Sequence, residues 1–280
     1  MRRKIDMEIG MSPREQDVYF SLLNKELGVA TIKQVVSDHN ISTENARKIL
    51  FCMAKKKILY RIFKGCYIVI PPDMLYGKSD FINDPYMIID QLMGVIGQKY
   101  YVGYQSAAQL HGAAHQLPFT LSVVVLKQRK SLKLGGSKIE FRKMSGKNFF
   151  GIERMKYSNS FLDVSDIEKT ILDCVNRYDL CGGVDEVCRT ISNMREKIKP
   201  GKLLNYLGRL NSRAVAQRVG FILDKLNISG YGVNESLISG VEKHIGNKRY
   251  LLEPGSGGNG KISGRWNIIE NVNCMGWEHA

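Results

Sequence analysis

The feature that most narrows what this chain can fold into lies between Ser12 and Ile70, where three short helix signals run straight into a hairpin signal. Ser12-Pro13-Arg14-Glu15 reads as a helix start: a hydroxyl to cap, a proline suited to the first turn and a glutamate at the capping-box position. Val18, Tyr19 and Leu22 then supply an apolar stripe to about Lys25. A second helix, Thr31 to Asp38, turns Ile32, Val35 and Val36 inward. His39-Asn40-Ile41 makes a tight turn, and Ser42 caps a third helix that runs to about Lys57. Ile58–Phe63 and Cys66–Ile70 are β-prone around the turn signal Lys64-Gly65, and Pro71-Pro72 stops the second strand.

Helix, helix, tight turn, helix and hairpin in that order predict a winged helix over residues 1–72. At 100° per residue, Ala46, Ile49, Leu50 and Met53 of the third helix share one face, and Glu44, Arg47, Lys48, Phe51 and Lys55 share the opposite one. An exposed basic face on this helix suits the major groove of DNA. The candidate DNA-binding residues are Ser42, Glu44, Asn45, Arg47, Lys48 and Lys55, with Arg61 and Lys64 of the hairpin on the phosphate backbone. A merely solvated helix face, or a winged helix that docks protein, is the alternative.

Charge points the same way. Lys and Arg number 41 against 27 Asp and Glu, net +14, and residues 1–72 hold 13 basic and 7 acidic side chains, net +6. Such a surplus favours polyanionic partners, because neutralised phosphates release counterions. It does not by itself separate DNA, RNA and acidic membranes.

Residues 73–280 read as a second, larger mixed α/β unit, giving an α+β chain overall. Pro71-Pro72-Asp73 and Gly77-Lys78-Ser79-Asp80 form the expected linker, so the second domain proper is placed at 80–280. Helices are expected at about Pro85–Ile96, Tyr104–His111, Ser165–Arg177 (capped by Ser165, with Glu168 at the capping-box position), Val184–Met194, Lys202–Leu210 and Arg213–Leu226. Strands are expected at Leu121–Leu126, Lys138–Lys143 and Arg265–Val272, the last after a flexible Gly255–Gly260 loop. Lys127, Arg129, Lys130 and Lys133, in a loop between strands, and Arg213 and Arg218, on a helix, suggest a second basic patch for nucleic acid or protein, with simple solubility as the alternative.

Chemistry is hard to find. No cysteine pair has zinc-ligand spacing, and Cys174, Cys181 and Cys188, seven apart, read as buried reduced thiols stacked on one helical face. His111 and His115 stand four apart, but Gly112 ends their helix and no glutamate lies between them. Leu134-Gly135-Gly136-Ser137 resembles the turn of a nucleotidyltransferase, yet Glu140 is a single carboxylate beside Arg142 and Lys143, and such enzymes need a pair to hold metal ions. Glu140 reads instead as one half of a cross-strand surface pair. Neither a cofactor, a metal nor a catalytic residue is expected, so the chain is not read as an enzyme. No stretch of about 20 apolar residues suggests a membrane span and no signal-peptide core follows the basic start, which makes the cytoplasm the default.

Several segments resemble the AbiEi family, antitoxins of type IV toxin–antitoxin (abortive infection) systems. Tyr101-Val102-Gly103-Tyr104-Gln105-Ser106-Ala107-Ala108-Gln109-Leu110-His111-Gly112 is similar to the start of that family's second domain. Phe149-Phe150-Gly151-Ile152, Val164–Asp173, Asp179–Val187, Ala216–Leu223 and the terminal Arg265-Trp266-Asn267 to Val272-Asn273 follow in the family's order. The resemblance implies a repressor of its own operon, bound to operator DNA, that neutralises a nucleotidyltransferase-like toxin encoded beside it. A stable complex with that toxin is not required, and no catalytic residues carry over. A winged-helix-tethered nuclease and an RNA- or protein-binding module are the competing functions.

Overall fold

The computed structural model describes residues 10–25, 28–75, 84–114, 120–134, 136–158, 160–228 and 233–272. The expected Gly77–Asp80 linker segment, His115 and Gly135 lie outside them.

In the first unit, helix α1 (Pro13–Asn24) starts on a full capping box: Ser12 Oγ accepts from the Glu15 amide, and the Ser12 amide donates to Glu15 Oε2 at 2.7 Å. Helix α2 (Ile32–His39) is capped by Thr31 and ends on Asn40 in the left-handed region, φ 47°. Two residues later Ser42 accepts from the Asn45 amide and opens α3 (Thr43–Lys55). Strands β2 (Leu59–Phe63) and β3 (Cys66–Val69) form the expected hairpin. A short strand that the sequence reading did not identify, β1 (Val29–Thr31), pairs with the far side of β3, so the sheet order is β1-β3-β2. Val18, Tyr19, Leu22, Val35, Ala46, Leu50, Met53 and Ile58 fill the space between helices and sheet. The Tyr19 hydroxyl donates to the Ile70 carbonyl at 2.6 Å, and Lys56 reaches back to Glu15 at 2.6 Å. Burial pushes the Glu15 carboxyl up, but Lys56 and the Ser12 amide and hydroxyl together hold it below its ordinary value.

The second unit begins after a single helical turn at Pro72–Leu75. Helix α4 (Ile89–Ile96) leads into β4 (Tyr100–Val102) and α5 (Tyr104–Leu110). Then come β5 (Thr120–Val125), β6 (Leu132–Leu134), β7 (Ser137–Lys143), β8 (Ile152–Tyr157) and β9 (Ser160–Ser165). These make a six-stranded mixed sheet of order β6-β7-β5-β4-β9-β8, in which β5–β7 and β4–β9 are parallel and the other pairs antiparallel. Helices α6 (Ile167–Asn176), α7 (Val184–Met194), α8 (Pro200–Leu210), α9 (Arg213–Ile228) and α10 (Glu235–Glu242) form a helical layer over one side. A small sheet of β10 (Tyr250–Leu251), β12 (Ile268–Glu270) and β11 (Lys261–Ser263) closes the described chain. The expected strand Arg265–Val272 is therefore shorter, and a partner strand precedes it.

Close approach fixes two glycines. A Cβ on Gly220 of α9 would overlap the fully buried Trp266 indole, whose Nε1 donates to Asp224 at 2.8 Å. Gly151 sits at φ 68°, and a Cβ there would stand 2.7 Å from the Lys169 Cβ. A side chain at either position forces its neighbours apart.

The two units are not independent beads. Gln91 Oε1 of α4 accepts from the amides of Gly28 (2.6 Å) and Val29 (3.0 Å). Val29, Cys66 and Ile68 of the small sheet share one apolar cluster with Ile88, Ile89, Leu92, Val102 and Leu162 of the second unit. Tyr60, Ile62 and Phe63 of β2 pack on the same cluster beside Leu132 of β6. One face of the small sheet therefore covers α1–α3, and the other covers the second unit.

Candidate functional site

The outward side of α3 is the first candidate. Its inward residues Ala46, Leu50 and Met53 are fully buried, which fixes the rotation of the helix and leaves Glu44, Asn45, Arg47, Lys48, Phe51 and Lys55 exposed. Ser42 is exposed too, but its hydroxyl is engaged in capping the helix. The interaction between Lys56 and Glu15 braces the last turn against α1. Lys55 Nζ stands 4.8 Å from the Phe51 ring centroid, a cation–π contact on the solvent side. Arg61 and Lys64 of the hairpin are exposed as well. Arg47, Lys48, Arg61 and Lys64 are thus free to meet an anion. Phe51, 48% exposed, was placed on this face by periodicity but not counted among the binding residues; large apolar exposure was the signal that only the structure supplies.

The second basic patch does not hold together. Lys127, Arg129 and Lys130 are exposed in the β5–β6 connection, and Lys133 is exposed on β6 rather than in a loop. Arg218 is 7% exposed: its Nε donates to the Leu251 carbonyl at 3.0 Å, and its guanidinium lies over Tyr178. It is a packing residue of α9 and no part of a surface patch. Arg213 is exposed but donates to the His244 and Ile245 carbonyls at 2.9 and 3.4 Å, tying α9 to the segment after α10.

A buried polar junction lies where the segments Tyr101–Gly112, Phe149–Ile152 and Val164–Asp173 converge. Lys169 Nζ, 1% exposed, meets Asp173 Oδ1 at 2.5 Å, and the Tyr101 hydroxyl donates to Asp173 Oδ2 at 3.0 Å. Met144 Sδ lies 3.6 Å from that ammonium and the Phe150 ring centroid 5.0 Å from it. Burial pushes the Asp173 carboxyl up, and Lys169 and Tyr101 oppose this. Beside it Asp166, not Ser165, caps α6, with Oδ1 accepting from the Lys169 amide. Ser165 instead ends β9, its hydroxyl bonded to Thr170 at 2.7 Å. Glu168 makes no capping box: it accepts from the Lys199 amide at 2.8 Å and pairs with Lys202. Tyr206 and Lys202 complete Asp166 at 2.9 and 3.0 Å. Each of these carboxylates is engaged by cations or hydroxyls of the chain itself, so the junction is a structural lock.

Other expected features resolve locally. The His111 ring bonds the Ser165 carbonyl at 2.7 Å, joining the end of α5 to β9. Glu140 pairs with Lys138 and Arg142 along its own strand, so the surface pair is intrastrand rather than cross-strand. Cys174, Cys181 and Cys188 are in no disulfide and lie buried in one apolar cluster, but they come from α6, the turn after it and α7 rather than from one helix face. Among the described residues no group of three His, Cys, Asp or Glu could hold a metal ion. No described helix is long and apolar enough to cross a membrane.

These elements define an α+β chain whose larger unit, a mixed sheet under a helical layer, carries a locked polar junction. Residues 101–225 match the family model of the AbiEi antitoxin C-terminal domain. That match supports a toxin–antitoxin role in general terms. The fold is similar to the crystal structure of the RV2827C protein from Mycobacterium tuberculosis, with a TM-score of 0.69 at 13% identity over 92% of each chain. No curated protein matches the sequence.

Proposed function

We propose that the first unit is a winged helix bound to double-stranded operator DNA, and that the protein is an autorepressing antitoxin acting against a nucleotidyltransferase-like toxin. The observation that carries the DNA half is the outward face of α3, where the buried side is satisfied and Arg47, Lys48 and Lys55 are exposed together beside Arg61 and Lys64 of the hairpin. The helix-turn-helix spacing of α2 and α3, with the flanking sheet order β1-β3-β2, supports the same reading. The AbiEi match supports the antitoxin half. No catalytic step belongs to this reading, and the cytoplasm is its compartment.

The test is binding of the full chain to its own promoter and to a scrambled duplex across a salt series. Specific binding should weaken with salt by a log–log slope of about −0.9 per phosphate neutralised. Arg61→Ala with Lys64→Ala should lower affinity for both duplexes and reduce the slope by about 2. Equal affinity for promoter and scrambled duplex would refute the operator reading.

For the antitoxin half, we propose that Lys127, Arg129, Lys130 and Lys133 face the toxin or its nucleic-acid substrate. Reversing all four to Glu in the full chain should impair growth rescue from the toxin while a promoter reporter stays repressed. Exposed substitutions of this kind usually shift stability by less than about 0.5 kcal/mol, so lost rescue would not reflect unfolding. Unimpaired rescue would remove the loop from the reading. The full chain is the right vehicle, because severing residues 1–72 would uncover Ile88, Ile89 and Leu92.

A further inference from the structure

We infer that Phe51 is a specificity-determining residue that packs against the C5-methyl group of a thymine in the major groove. The inference rests on the DNA-binding reading of α3 and adds to it an apolar contact that no charged residue provides. Glu44, Lys48, Phe51 and Lys55 follow one another at helical spacings of four, three and four, so they form a single outward stripe. Phe51 lies on that stripe about 10 Å along the axis from Glu44. Ala46, Leu50 and Met53 already fill the core side, so Phe51 is not needed there.

An aromatic ring left 48% exposed forgoes the burial free energy that any covering partner would restore. What can cover it is narrowed by its neighbours. Arg47 precedes it by four positions, Lys48 by three, and Lys55 follows by four with its ammonium 4.8 Å from the ring centroid. The partner must accept three cations around one apolar spot. An apolar protein surface would strand those charges, whereas the major groove is walled by phosphates and presents one apolar group at its floor, the thymine methyl. The cations then serve backbone and polar base edges while the ring serves the methyl.

The experiment is a deoxyuridine scan. Each thymine of the bound promoter duplex is replaced in turn by deoxyuridine, which deletes the methyl and preserves base pairing. Binding is measured at one salt concentration for the full-length protein and for Phe51→Ala, with circular dichroism verifying the variant's fold. One or two positions should weaken the unsubstituted protein about fourfold each, the factor equivalent to ~0.8 kcal/mol for one buried carbon. At those positions Phe51→Ala should be indifferent to the methyl, while still preferring promoter over scrambled duplex through Arg47 and Lys48. A methyl penalty equal in both proteins, or absent from both, overturns the inference and leaves the DNA reading standing. Failure of the unsubstituted protein to distinguish promoter from scrambled duplex overturns both.

Discussion

Lys169→Met should destabilise the protein by about 3–5 kcal/mol, because it leaves the Asp173 carboxylate buried without its cation. Lys169 and Asp173 are 1% and 4% exposed in their side chains, and the remaining partner of Asp173 is the Tyr101 hydroxyl at 3.0 Å. For a chain of this size the loss corresponds to a fall in melting temperature on the order of 10 °C. The double variant Lys169→Met with Asp173→Leu should regain most of it, since a well-packed apolar pair avoids the desolvation that the ion pair suffers. Thermal unfolding followed by circular dichroism reads both. A single variant that melts with the unsubstituted protein would mean that the junction is hydrated and is no lock. The wider consequence is that this cluster of Asp, Glu and Lys, which on paper looks like chemistry, is a fastening between the sheet and α6.

Arg47→Ala together with Lys48→Ala should remove most of the discrimination between promoter and scrambled duplex, leaving only the smaller share assigned to Phe51, while the melting curve stays unchanged. A good bidentate base contact carries about 1–3 kcal/mol of discrimination, so two such losses would be worth roughly 30-fold or more. Both residues are exposed, and the α3 core face does not involve them. The contrast with the hairpin is diagnostic. Arg61 and Lys64 should affect all duplexes alike, because phosphate contacts carry no sequence information. Retained footprints in the Arg47/Lys48 variant would show that a different face of the unit meets the DNA.

How much could be read before the structure depends on the kind of signal. Capped helices were legible at Ser12-Pro13-Arg14-Glu15 and Ser42, whose side chains bond the backbone three residues on, whereas Thr31, expected as the first residue of its helix, is the cap of a helix that begins at Ile32. The same local logic erred at Ser165-Asp166, where two adjacent residues can both cap. There Ser165 is taken up by β9 and its contact with Thr170, which leaves Asp166 to cap α6. Short strands were less legible. β1, β4 and β6 are three residues each, too short for alternation to stand out, and they exist because neighbouring strands complete their hydrogen bonds. Strands β8 and β9, six residues each, were also missed; in β8 the charged positions Glu153, Arg154 and Lys156 obscure the pattern.

Sequence by itself determined the order of the first unit's helices and hairpin, the inward face of α3, the basic excess and the antitoxin resemblance, because caps, helical periodicity and net charge act over a few residues or over the whole composition. Only the tertiary structure decided which cations are available. Arg213 and Arg218 lie five apart on α9, yet one stays at the surface while the other is buried beneath Tyr178 and bonded to Leu251. It likewise decided that Lys169 and Asp173 form a sealed pair and that Phe51 remains uncovered. Burial is set by chain segments distant in sequence, and no local pattern encodes which of them arrives to cover a given side chain.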